Sequence, residues 1–118
     1  MSSWYRVTDP EKAVQAARLV AAWGDAPVIN LEISEMILEI ARDQVLAYAP
    51  ALDVDILDTD IPNNYVYAQL KQAENLWTAG RVTSSGDVGM DSFSFTPRPL
   101  DKTIRTILRP VQGVPSVG

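Results

Sequence analysis

Apolar residues recur at helical spacing in four stretches of this chain, and the breaks between them fall at Gly, Pro and Asn. The first stretch follows Asp9-Pro10-Glu11, where Asp9 is placed to cap free amides and Pro10 suits the first helical position. Ala13, Val14, Ala17, Leu19, Val20, Ala21 and Trp23 supply its apolar side, and Gly24 and Pro27 end it. A second helix, capped by Asn30 or Ser34, runs to about Ala49. Ile33, Met36, Ile37, Ile40, Ala41, Gln44, Ala47 and Tyr48 form one of its faces. Leu38, Val45 and Leu46 widen the apolar surface, which predicts a helix lying between two neighbours, and Pro50 stops it. The third helix opens near Pro62 and closes at Gly80, read as the left-handed residue after a helix. Val66, Leu70, Ala73 and Trp77 form its stripe, with Tyr65, Tyr67 and Leu76 beside it, while Gln69, Lys71, Gln72 and Glu74 read as solvent-facing. Leu100, Ile104, Ile107 and Leu108 predict a short fourth helix that Pro110 terminates, with Lys102, Arg105 and Arg109 toward its favourable end.

The segments between these helices follow other patterns. Residues 51–61 alternate apolar and acidic positions, as a half-buried strand or an extended connector would. Residues 81–99 form a long loop in which Gly86-Asp87 can turn a β-hairpin whose second arm is 91–96. Residues 111–118 have two glycines, Pro115 and no helical period, and read as an extended tail. The expected fold is therefore mostly α. It is a small bundle of about four helices in one domain over 1–110, with a long loop or hairpin near 81–99 and a C-terminal tail over 111–118.

Composition narrows the chemistry. Among 118 residues there is no cysteine, which excludes disulfides, thiolate nucleophiles and cysteine-ligated metal centres. There is no histidine, so the commonest general base and transition-metal ligand are missing. Catalysis is not expected, and neither is a metal or a cofactor. No signal peptide or membrane span is apparent, and a soluble cytoplasmic protein is the default expectation. The net charge of −5 is uneven: residues 1–62 sum to −7 and residues 63–118 to +2. That asymmetry bears on association, and an acidic whole is unsuited to clamping nucleic acid.

The individual constellations mostly have plain readings. Asp53, Asp55, Asp58 and Asp60 lack the central glycine and final glutamate of a calcium loop, so they read as a solvated connector. Glu35 and Glu39 lie one turn apart with Arg42 as an ordinary partner, and no nucleophile accompanies them. Gly86-Asp87-Val88-Gly89 lacks the phosphate-loop ending and follows a helix, where a nucleotide loop follows a strand. Arg98, Lys102, Arg105 and Arg109 make one basic patch, better matched to an acidic protein surface than to phosphates. The acidic part of a neighbouring copy is a natural candidate. Trp23 and Trp77 are expected in the core. Trp4 and Tyr5 are harder to bury locally, and exposed aromatics there would mark a docking surface.

Several short motifs occur in a suggestive order. The second helix has Ala41-Arg42 and then Ala47-Tyr48-Ala49-Pro50. The third follows Ile61-Pro62 and contains Gln69, Ala73-Glu74 and Leu76-Trp77. A glycine-bearing loop comes next, and Leu100-Asp101, Arg105 and Leu108-Arg109-Pro110 close the pattern. Over residues 30–110 this resembles the head-to-tail adaptor (connector) proteins of long-tailed bacteriophages, particularly those infecting actinobacteria; the first helix matches less clearly. The resemblance implies a ring, commonly of twelve copies, at the virion neck, made in the host cytoplasm. It implies a portal protein on one side and a stopper or tail-terminator protein on the other. DNA would pass through without sequence-specific binding, and no membrane would be involved. Taking the residue readings and the resemblance together, the expected interface positions are Trp4, Tyr5, Asp87, Met90, Phe93, Phe95, Arg98, Lys102, Arg105 and Arg109, with Val111, Val114 and Val117 in the tail. The alternative expectation is a small phage-encoded regulatory or DNA-associated protein using residues 62–80 as a recognition helix.

Overall fold

The computed structural model describes residues 2–81 and 93–110. The chain is mostly α, with four helices and no strand among the described residues: α1 Lys12–Ala22, α2 Leu31–Tyr48, α3 Asn63–Arg81 and α4 Lys102–Leu108. Helices α2 and α3 form the central pair, and α4 lies against α3. The hydrogen bonds fix the direction of α4. Asn75 donates to Asp101 at 3.0 Å and Asn64 donates to the Ile107 carbonyl at 3.3 Å, so α4 runs antiparallel to α3.

Side-chain caps begin two of the four helices. The Asn30 side chain accepts from the Ile33 amide at 3.2 Å and begins α2. Ser34, the other candidate cap, is buried one turn inside and donates to the Pro27 carbonyl. The Asp101 carboxylate accepts from the Ile104 amide at 2.8 Å and begins α4. Helix α3 starts directly after Pro62, whose carbonyl accepts from the amides of Tyr65 and Val66. Helix α1 departs from expectation. The Asp9–Pro10 bond is cis, Glu11 stands at the cap without a side-chain hydrogen bond, and Asp9 instead approaches the Lys12 ammonium at 3.8 Å. A turn closed by the Glu11 amide on the Thr8 carbonyl takes precedence there.

Two hydrophobic clusters share the α2–α3 pair. One joins Val45, Ala49, Ile61, Tyr65 and Ala68 with Leu100, Ile104 and Leu108 of the α4 region. The other joins Ile37, Leu38, Ala41, Leu70, Ala73 and Leu76 with Leu19 of α1. Trp23 and Trp77 pack against this second cluster without being fully enclosed. On α2 the buried stripe is Ser34, Ile37, Leu38, Ala41 and Val45. It is rotated toward the residues that only widened the predicted face, leaving Met36 and Ile40 on an open edge.

The two clusters are joined by residues 2–8, a non-helical strap between α1 and the α2–α3 pair. Trp4 is only 4 % exposed and belongs to the first cluster, whereas Val7 belongs to the second. The expectation of an exposed terminal Trp4 is therefore corrected. Its pocket is assembled from Val45, Tyr65 and Ile104, residues remote in sequence that a local reading could not bring together. Buried backbone must find hydrogen-bond partners, and here side chains supply them. Gln69 of α3, 1 % exposed, accepts from the Tyr5 amide at 2.8 Å and donates to the Tyr5 carbonyl at 2.9 Å. Glu35 accepts from Val7 at 2.7 Å and Gln15 from Thr8 at 2.6 Å. Arg18 donates to the carbonyls of Ser2, Ser3 and Trp4, and its guanidinium lies 4.1 Å from the centroid of the Tyr5 ring.

The 51–61 stretch is a connector with no strand. Its turns are closed by the Ile56 amide on the Asp53 carbonyl and the Asp60 amide on the Leu57 carbonyl. Gly80 also differs from its expected role. It lies inside α3 with no left-handed backbone, and a Cβ there would collide with the Phe93 ring. That ring stacks on Trp77 with centroids 5.1 Å apart.

Two stability experiments follow. Gln69→Leu strands the Tyr5 amide and carbonyl, with an expected loss of about 3 kcal/mol in denaturant unfolding; a loss under about 1 kcal/mol would show that the strap finds other partners. Gly80→Ala gains about 1 kcal/mol of helix propensity but displaces the Phe93 ring from its stack. It is expected to lower the melting temperature of the parent and to raise that of a Phe93→Ala background.

Candidate interaction surfaces

The charged and aromatic residues singled out by the sequence separate into anchored and exposed groups. Trp4 is a core residue, and Tyr5 is half-buried beneath Arg18. Phe93 is also partly covered by its own domain, between Trp77 and Phe95, the latter meeting it edge-on at 4.9 Å. Phe95 is exposed. Asp87, Met90, Val111, Val114 and Val117 lie outside the described residues, as does the Gly86-Asp87 turn. Residues 93–96, in the expected second hairpin arm, carry no strand.

The return segment 93–100 is held by side-chain amides in much the same way as the strap. Gln44 and Gln72 both donate to the Arg98 carbonyl, at 2.7 and 3.0 Å, and Gln72 also donates to Gln44 at 2.9 Å. Gln72 is fully buried, so both glutamines of α3 assigned to its solvent face are interior groups. The signal that could have identified them is positional: Gln69 and Gln72 share a helical face with Tyr65, Ala68, Ala73 and Leu76. A polar residue inside an apolar stripe points to backbone that needs a partner.

With its carbonyl fixed, the exposed residue Arg98 is one of those lining a groove of about 420 Å³. Ile40, Leu76, Phe95, Pro97 and Pro99 line most of this groove. Lys102 and Arg105 are exposed on the outer side of α4. Arg109 is tethered, donating to the Tyr48 carbonyl at 2.7 Å with its guanidinium 5.4 Å from that ring's centroid. A second cavity, about 790 Å³, lies between Trp77, Phe93, Ile33 and Asp25. At the other end of the α2–α3 pair, residues 53–60 project Val54, 96 % exposed, and Leu57, 62 % exposed, among four aspartates.

These surfaces offer apolar contact bordered by charge. Among the described residues, no group of three or more Asp or Glu side chains is arranged to hold a metal, and no helix is long and apolar enough to cross a membrane. Comparisons with protein-family profiles, curated proteins and solved structures gave no match.

One carboxyl has a perturbed titration. Burial raises the Glu35 pKa above the ordinary carboxyl value, and a hydrogen bond and repulsion from Glu39 add to the rise. The Val7 amide and Arg6 act in the opposite direction without cancelling it. Folded protein thus holds this proton more tightly than unfolded chain. The group's stabilising contribution is complete at pH below the ordinary carboxyl range and declines as pH rises through the elevated pKa. Glu35→Gln retains an acceptor for Val7 and removes the charge. Its melting temperature should exceed the parent's at neutral pH, and the difference should close on acidification below the carboxyl range. Parallel pH profiles for the two proteins would contradict this account.

Proposed function

We propose that this chain is a structural subunit of a phage head-to-tail adaptor ring, set between portal and tail as a passive conduit for DNA. The observation that carries the reading is the order of parts: a long α2–α3 pair, a return segment, and a short basic α4 laid back across α3. That is the order in which the quoted adaptor-like motifs occur, and Ala41, Gln69, Ala73, Leu76 and Leu108 of those motifs are all interior positions. Exposed Lys102 and Arg105 give one surface a positive character, and the aspartates of 53–60 give another a negative one. Unlike surfaces of this kind suit a cyclic assembly, in which each subunit meets its neighbours through different faces. An acidic chain also suits a channel through which DNA slides, because it does not grip phosphates.

A ring of twelve copies, a portal partner above, a stopper or tail-terminator partner below, and location at the virion neck all belong to this proposal. The alternative, a regulatory protein reading DNA through α3, has less to support it. Tyr65, Ala68, Leu70, Ala73 and Leu76 are buried, and the helix is occupied by the strap, α2 and α4.

The test is negative-stain electron microscopy of purified portal rings from the same virus, with and without this protein. An added layer sharing the portal's rotational symmetry is expected, and it would give the copy number. Bare portal rings at large protein excess would overturn the proposal. Sequence-specific retardation of duplex DNA would favour the regulatory alternative.

A further inference from the structure

We infer that the loop 53–60 of one copy docks into the Ile40–Phe95 groove of the next, beneath Arg98 and Lys102. This rests on the adaptor-ring reading and identifies which surfaces meet in such a ring. The loop combines two features rarely left in water together. Val54 and Leu57 are exposed apolar side chains, and Asp53, Asp55, Asp58 and Asp60 surround them. The groove is the chemical converse: its floor is Ile40, Leu76, Phe95 and Pro97, with Arg98 at its edge and Lys102 four residues farther along.

Asp58 is drawn to Arg6 of its own chain at 3.9 Å, but other charges on both sides are available. None of the ion pairs among the described residues uses Arg98, Lys102, Arg105, Asp55 or Asp60. Acidic groups near the groove are otherwise engaged: Asp101 caps α4 and accepts from Asn75, and Asp43 pairs with Arg42. Docking would therefore bring aspartates toward unpaired cations while covering aliphatic surface, which makes a second copy of this chain the matching occupant.

Geometry makes the contact intermolecular. The loop ends at Pro62, just before α3, and Leu76 of the groove lies fourteen residues farther along that helix. At 1.5 Å per residue the two surfaces are about 21 Å apart on one rigid element. Each copy thus presents a loop at one end and a groove near the other, a heterologous contact that can repeat around a closed ring. One short loop buries much less than the ~1,600 Å² of a standard stable interface. The free chain should therefore associate weakly, and a template that holds neighbours side by side should strengthen the contact through effective concentration.

The absence of cysteine allows a direct test. Val54→Cys and Thr96→Cys chains are mixed at about 1 mM, where even a millimolar contact is substantially populated, and treated with a short bismaleimide. The crossed product should exceed either self-product by about tenfold, equivalent to 1.4 kcal/mol of preference, and should fall as salt is added. Arg98→Glu with Lys102→Glu on the Thr96→Cys chain should abolish the excess. Asp55→Lys with Asp60→Lys on the Val54→Cys chain should restore it. All six positions are exposed, and the salt titration provides a readout that needs no charge reversal. Crossed and self products in statistical proportion, or yields indifferent to salt, would overturn the inference. A symmetric layer on portal rings without the crossed product would reject this contact and leave the adaptor reading standing. The crossed product with bare portals would do the reverse.

Discussion

The arrangement of this domain depends on one constraint: two stretches of non-helical backbone are packed against helices whose own backbone groups are mostly spent within the helix, the Gly80 carbonyl accepting from the Ser94 amide being an exception. A sheet would solve this with a ladder of main-chain hydrogen bonds. Here side-chain amides do so, with Gln69 presenting its acceptor and donor to the amide and carbonyl of Tyr5 much as a neighbouring strand would. Gln44 and Gln72 converge on the Arg98 carbonyl on behalf of the return segment. Because both Gln69 and Gln72 project from α3, this helix sets the positions of the strap, the return segment and the groove that the return segment forms with α2 and α3. Glu35 and Arg18 serve the more open parts of the strap, and neutral amides suit the most enclosed positions. They supply both polarities without the desolvation penalty of a buried charge.

Much of the helical framework was legible because it depends on local chemistry. Asn30 stands where its side chain closes a first turn, Pro50 stops α2, and the 3.6-residue period of Ile37, Ala41, Leu70 and Leu76 marks faces that are indeed buried. What escaped were features fixed by distant partners. Trp4 cannot be placed without knowing that Val45, Tyr65 and Ile104 meet. Gln69 and Gln72 were assigned to solvent from their polarity, although they sit among apolar neighbours on the helix. Gly80 at the end of a helical period suggests a left-handed cap, yet its lack of a Cβ serves the approach of Phe93. Alternation over 51–61 imitates a strand, but no second strand among the described residues is there to pair with it.

The interaction surfaces were legible as chemistry and not as location. The basic residues of 98–109 were evident in the sequence, but they do not behave as one group. Arg109 is committed to Tyr48, whereas Arg98, Lys102 and Arg105 stand outside the ion pairs among the described residues. The aspartates of 53–60 lie on an exposed connector, as their spacing in the sequence suggests. What the folded chain adds is the exposure of Val54 and Leu57 among them. Similarly, the groove exists because the Arg98 carbonyl is drawn onto Gln44 and Gln72, which sets Phe95 and Pro97 opposite Ile40.

The strap also has a consequence for the timing of synthesis. Tyr5 and its principal partner Gln69 are separated by 64 positions, so the ribosome makes the guest well before its host. At roughly 5–20 residues per second, Trp4 and Val7 wait several seconds before the helix that receives them is complete. During that interval, α1 and α2 can form but have no α3 to close against. Between translation of residue 8 and translation of residue 69 the emerging chain thus carries these apolar groups without the helix that covers them, and the strap is closed by a long-range contact despite the helical fold.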